Sequence, residues 1–144
     1  MQDNSGGAQA GVIYHLTPLS ELAAGVSGDH YSPARLEMDG FVHCTSGEAT
    51  TLLVAGDYFA DLREPLLVME IETAHLTHDL RFEAPAPIEG GGRAHLESAD
   101  RFPHVYGPID LAAIRGVASL GEGGGPYRWP DRFEPLSSRL ETTA

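Results

Sequence analysis

Three short segments of this chain carry a histidine followed two residues later by a hydroxyl side chain. They are His15 and Thr17 in GVIYHLT, His43 and Thr45 in GFVHCTS, and His104 and Tyr106 in FPHVYGP. Side chains alternate along an extended strand, so the first two pairs each share one face, with Tyr14 and Leu16, or Val42 and Cys44, on the other; His104 and Tyr106 do so if FPHVYGPI, a strand or bend interrupted by Pro103 and Pro108, stays extended. A histidine taken alone is commonly a satisfied structural residue. Imidazoles and hydroxyls repeated on sheet faces are costly to bury without partners, and a polar cleft meets that cost. If the three strands neighbour one another, the cleft holds general acid–base groups tunable near neutral pH. The expected catalytic set is His15, His43, His104 and Tyr106.

The other chemical groupings are weaker. His15, His43 and His104 have none of the spacing of helix-borne metal ligands, so no metal is expected. His75 and His78, in AHLTHDL, read as a solvated turn rather than a ligand pair. Cys44 adjoins His43, but neighbouring strand residues face opposite ways, so a buried inert thiol is expected, not a Cys–His dyad. Gly90–Gly92 and Gly121–Gly125 lack the strand–glycine–helix context of a phosphate loop and read as flexible segments. Arg35, Arg81 and Arg101 are candidates for phosphate contacts or, alternatively, for surface salt bridges.

The elements that must position these groups are legible in outline. Gly11–Thr17 is β-branched and aromatic and reads as a strand. Thr17 and Pro18 then resemble the N-cap and first turn of a helix ending near Gly25 and Gly28. A loop through Tyr31 and Pro33 leads to Ala34–Met38, and Asp39-Gly40 signals a turn before GFVHCTS. Glu48–Phe59 carries a helical stripe of Ala49, Leu52, Leu53, Ala55 and Phe59. LLVMEI, after Pro65, is a continuous apolar run expected to be a central strand. Leu80–Glu83 reads as a short strand leading into Ala84-Pro85-Ala86-Pro87, residues 109–115 as helical, and Gly116–Leu120 as a last strand. Trp129 and Phe133 are expected to pack the tail on the body rather than to stack a ligand. Helices and strands mix without regular alternation, which favours an α+β fold. The organisation expected is a flexible leader at 1–10, one domain at 11–120, and a glycine-rich segment with a C-terminal tail at 121–144.

The chain's 144 residues suffice for one hydrophobic core. One cysteine excludes an internal disulfide, and no apolar run approaches the ~20 residues of a membrane span. No secretory leader is read, so a cytoplasmic setting is expected. The formal net charge is −12, and all nine basic residues are arginine. Such a chain repels long nucleic-acid backbones and offers no polybasic membrane patch. A small ligand with one or two phosphates remains compatible with a few arginines. Oligomeric state is not legible.

IYHLT, DGFVHCTS, LLVMEI, LRFE and FPHVYGPIDLAAI, in that order over about Gly11–Leu120, resemble the domain-of-unknown-function 952 family. That family is regarded as related to the ADP-ribosyltransferase fold, with tRNA 2′-phosphotransferases among more distant relatives. The resemblance implies split antiparallel sheets with a few short helices, and an NAD-type cleft between them. It makes Tyr14, His15, Thr17, His43, Thr45 and Arg35 the cofactor-binding candidates. His15 would bond the adenosine-side ribose, supported by Thr17, while His43 and Thr45 would line the nicotinamide or acceptor side. His104 and Tyr106 belong to the family's own last motif and are assigned phosphate or ring contacts. Leu16 stands where many transferases have glycine, and no glutamate matches the one some mono-ADP-ribosylating enzymes use. The expectation is a small enzyme acting on NAD or a related nucleotide. The alternatives are a nucleotide-independent acid–base enzyme (cyclase, isomerase or hydrolase) using the same histidines, and a catalytically silent binding module.

Overall fold

The computed structural model describes residues 11–84 and 101–143, with side chains through Leu140. The leader read at 1–10, the prolines of Ala84-Pro85-Ala86-Pro87 and the glycines at 90–92 lie outside the described residues.

The main sheet is antiparallel and consists of β1 (Val12–Pro18), β5 (Leu66–Glu72) and β9 (Ile114–Gly121), with β5 in the middle. The LLVMEI run is therefore the central strand expected of it: both faces of β5 are covered, and Leu66, Leu67, Val68, Met69 and Ile71 are all buried. Alternation along β1 divides its side chains between two cores. Ile13 packs with Leu67, Met69 and Ile71 in the larger core, and His15 and Thr17 lie opposite Met69 and Leu67 in the β1–β5 register. Tyr14 and Leu16 pack on the other side with Leu66, Val68 and Ala118.

Between these strands the chain makes two small antiparallel sheets. One orders β2 (Val26–Ser27), β3 (His30–Tyr31) and β8 (Ile109–Asp110). The other orders β4 (Val42–His43), β7 (Phe102–Val105) and β6 (Leu80–Glu83). The helices are short: α1 (Leu19–Gly25), α2 (Leu36–Asp39), α3 (Glu48–Tyr58) and α4 (Leu136–Thr143). The architecture is mixed α+β with antiparallel sheets, and no helix among the described residues is long and apolar enough to cross a membrane.

Three local expectations are corrected. Thr17 does not cap α1: it is a buried strand residue, and Pro18 is the N-cap with no side-chain cap bond. Two of the orphan donors are met elsewhere: the Pro65 carbonyl accepts the Leu19 N–H at 3.0 Å, and the Glu64 carboxylate accepts the Ser20 N–H at 2.7 Å together with the Ser20 hydroxyl at 2.8 Å. The loop through Tyr31 contains β3, and Tyr31 is fully buried. Residues 109–115 are not helical: β8 is followed by a 3-10 turn at Leu111–Ala113 and then β9. Pairing of Ile109 with Tyr31 and of Ile114 with Ile71 satisfies backbone groups that a seven-residue helix would hold only marginally.

The tail packs as expected. Val117 and Glu134 exchange two backbone hydrogen bonds of 2.8 and 2.9 Å, and Trp129 meets the Tyr14 ring edge-on with centroids 5.0 Å apart. Gly116 permits this closure, because a Cβ there would lie 2.9 Å from the Phe133 Cβ.

Candidate functional site

Pairing of β4 with β7 sets His43 directly opposite His104. Their ring centroids are 5.8 Å apart at 67°. Phe41, two residues before His43, stacks on His104 at 4.1 Å and lies 4.7 Å from the His43 ring. On the far side of β7, β6 contributes Glu83. Its Oε1 accepts the His104 Nδ1–H at 2.7 Å and the Tyr106 hydroxyl at 2.6 Å. Those two bonds, Tyr106's first, hold the Glu83 carboxyl below the usual carboxylate range, and the bond to the carboxylate pushes the Tyr106 phenol up. The Arg81 guanidinium covers the Tyr106 ring at 4.4 Å, a cation–π contact.

His43 is held by a residue that sequence reasoning missed. Helix α2 ends at Gly40, which adopts the left-handed φ of 85°. The turn brings Asp39 back alongside β4, where Oδ2 accepts the His43 Nε2–H at 2.8 Å. Arg35 grips the same carboxylate through Nε at 3.0 Å and Nη2 at 3.2 Å. Burial alone would raise Asp39, but the bonds from Arg35 and His43 outweigh it and hold the carboxyl below its ordinary value. Burial lowers the His43 imidazole, and the neighbouring Asp39 only partly offsets that. His43 is therefore disposed to be neutral, with its proton on Nε2 toward Asp39 and a lone pair on Nδ1. This is the geometry by which an orienting carboxylate prepares a general base.

His15 joins the pair through the backbone. Tyr14 and Thr45 exchange backbone bonds of 2.8 and 2.7 Å, which lays β1 against the segment after β4. His15 Nδ1–H then donates to the His43 carbonyl at 2.7 Å. That acceptor fixes the tautomer and leaves Nε2 with a lone pair. Burial pushes the imidazole down to about 4, so His15 is neutral at physiological pH. The Tyr31 hydroxyl, pushed up to about 12 by burial, donates to Thr17 Oγ1 at 3.0 Å and lies 3.4 Å from His15 Nε2. Thr17 in turn donates to the Pro18 carbonyl at 3.3 Å.

His15, His43, His104, Thr17 and Tyr106 are thus brought into one connected network, and Arg35 reaches it through Asp39. Two candidates are not. Tyr14 points into the second core against Trp129 and Phe133. Thr45 spends its hydroxyl on Thr51 of α3 and on the Tyr14 carbonyl, so it ties elements together. Asp39, Glu83, Tyr31 and Phe41 were missed. Faint signals existed for three of them: Arg35, Asp39 and His43 recur at intervals of four, Phe41 and His43 share strand spacing, and so do Arg81 and Glu83. Tyr31 had none, being set among polar loop residues. Cys44 is buried and its thiol is pushed up by burial, which matches the inert role expected of it. Among the described residues no three of histidine, cysteine, aspartate or glutamate converge on a metal position. A separate groove of about 440 Å³, lined by residues 60–63 and 122–124, shares no residue with the histidine network.

Residues 16–117 match the family described as "Protein of unknown function (DUF952)". Among solved structures the chain is similar to protein CC0527 from Caulobacter crescentus, with 24% identity, a TM-score of 0.58, and coverage of 90% of this chain and 98% of that one. A double-mutant form of the same protein gives 23% identity and the same TM-score and coverage. At this identity the likeness is one of fold. No curated protein matches. The chain belongs to the DUF952 family.

Proposed function

We propose that this DUF952 chain is a small enzyme with an ADP-ribosyltransferase-like fold. Its histidine network binds NAD, or a related nucleotide or phosphorylated small molecule. The observation that carries this reading is the fixing of one ring nitrogen in each of three imidazoles. His15 is fixed by the His43 carbonyl, His43 by Asp39 and His104 by Glu83, which leaves the second ring nitrogen of each outside these bonds. Such a donor–acceptor set fits the hydroxyls of a ribose, and Arg35 and Arg81 supply positive charge beside it for phosphate.

NAD would supply a glycosidic carbon from which nicotinamide departs as a neutral leaving group. In this reading His15 Nε2 accepts a ribose hydroxyl and orients the sugar. His43 Nδ1 takes the proton of the incoming hydroxyl or positions a phosphate acceptor, and Asp39 stabilises the imidazolium that forms. His104 and Tyr106 contact the ring or phosphate. The experiment is thermal stabilisation by NAD, ADP-ribose, nicotinamide and 2′-phosphorylated nucleotides, followed by turnover of the nucleotide that binds. Saturating ligand should raise the melting temperature by mass action, and His15→Ala should remove the shift. Unchanged turnover in a variant carrying both His15→Ala and His43→Ala would overturn the proposal.

The Asp39–His43 dyad favours a second reading, general acid–base chemistry on an unphosphorylated metabolite without any nucleotide. A bell-shaped pH profile with no nucleotide requirement would distinguish it.

A further inference from the structure

We propose that His30 and His78 form a second site, outside the His15–His43–His104 network: a pair of imidazole ligands for a divalent transition ion of the zinc type. His30 lies on β3, and His78 lies between the 3-10 turn at Thr73–His75 and β6. His30 Nε2 sits 3.0 Å from Asp110 Oδ1. Asp110 is itself anchored by the Thr77 N–H at 2.6 Å and the Thr77 hydroxyl at 2.8 Å. A carboxylate only accepts, so His30 places its proton on Nε2, and Nδ1 carries the lone pair. His78 Nδ1–H donates to the Pro108 carbonyl at 3.0 Å, which leaves the lone pair on Nε2.

Metal-binding histidines characteristically donate their other ring N–H to a carboxylate or a backbone carbonyl, which fixes the ring and raises its basicity. Both devices are present here, one on each ring. The ring centroids are 6.0 Å apart at 63°. Two imidazoles on one tetrahedral zinc have centroids about 5 Å apart, so a small side-chain rotation closes the difference. The His30 side chain is 42% exposed, which gives an ion access. Imidazole ligands select zinc, copper or nickel over magnesium or calcium. The protein supplies two ligands, and water or a solution ligand completes the shell. The His43–His104 pair has a similar separation, but Phe41 lies against both of its rings. Among the described residues, the only aromatic-ring contact of His30 or His78 is with the other. His75 takes no part: it is exposed, with Nε2 3.7 Å from Glu72.

The test is calorimetric titration of the full chain with zinc chloride in a non-chelating buffer, for the native sequence, His30→Gln, His78→Gln and His43→Gln. One zinc per chain is expected, bound at least tenfold more weakly by His30→Gln and by His78→Gln and unchanged in His43→Gln. In the native protein, zinc should shift the nitrogen resonances of His30 Nδ1 and His78 Nε2, a readout that needs no variant to fold. Absence of zinc binding, or binding that only His43→Gln weakens, or unshifted His30 and His78 nitrogens would each overturn the assignment. None of these outcomes bears on nucleotide binding at the first network.

Discussion

His15 allows a prediction that needs no substrate. Its imidazole titrates near 4 in the folded protein because burial disfavours the charged form, against 6.5 for an unburied histidine. The unfolded chain therefore takes up a proton as pH falls through 6.5, while the folded chain does not. Stability from this group is full above pH 6.5 and declines as pH falls toward 4. Between pH 7.5 and pH 5 the linkage relation gives a loss of about 2 kcal/mol from His15 alone. For a chain of this size that is roughly 4–8 °C in melting temperature. His43 is lowered in the same direction and adds to the slope. The decisive comparison is thus between the native protein and His15→Gln, whose amide can still donate to the His43 carbonyl. Urea unfolding followed by circular dichroism at pH 7.5, 6 and 5 should show the native protein losing about 2 kcal/mol more than the variant. Parallel stability curves would refute the reasoning, because His15 would then titrate alike in the folded and unfolded chains.

Three further perturbations follow from the hydrogen bonds and the backbone. Asp39→Asn removes the charge that partly offsets burial at His43, so the His43 imidazole should titrate at lower pH by NMR; an unchanged titration would deny the pairing. Tyr31→Phe removes the hydroxyl that donates to buried Thr17 and should cost about 1 kcal/mol in denaturant unfolding, with no change in the main sheet. Gly107→Ala places a Cβ on the His78 ring at a φ of 153°, so it should destabilise by about 1–3 kcal/mol and weaken zinc binding; a neutral effect on both would contradict the packing described.

The parts that could be read from the sequence are those where a local pattern and the tertiary environment agree. The apolar run after Pro65 is the central strand because both its faces are covered. The alternation in IYHLT separates His15 and Thr17 from Tyr14 and Leu16, as the two cores require. The helix after GFVHCTS spans Glu48–Tyr58, nearly the range its stripe marks. The i,i+2 spacing also paired His104 with Tyr106, which converge on one Glu83 oxygen.

What escaped reading depends on contacts distant in sequence or on turns whose direction a pattern does not encode. Asp39-Gly40 announces a turn, but nothing local says that the turn returns Asp39 to His43. Thr45 follows the same spacing rule as Thr17. Because β4 ends at His43, however, its hydroxyl is free to reach Thr51 instead. The helical character of IDLAAIR is overridden by pairing with β3 and β5. His30 and His78 are 48 positions apart in the numbering and meet only because Asp110 and Pro108, at and beside β8, hold one ring each.

The most direct test of the central claim is side-chain nitrogen NMR of all histidines during titration with NAD and with ADP-ribose. The account predicts saturable shifts at His15 Nε2, His43 Nδ1 and His104 Nε2, with His30 and His78 unmoved. Shifts confined to other histidines, or none at saturating nucleotide, would contradict it.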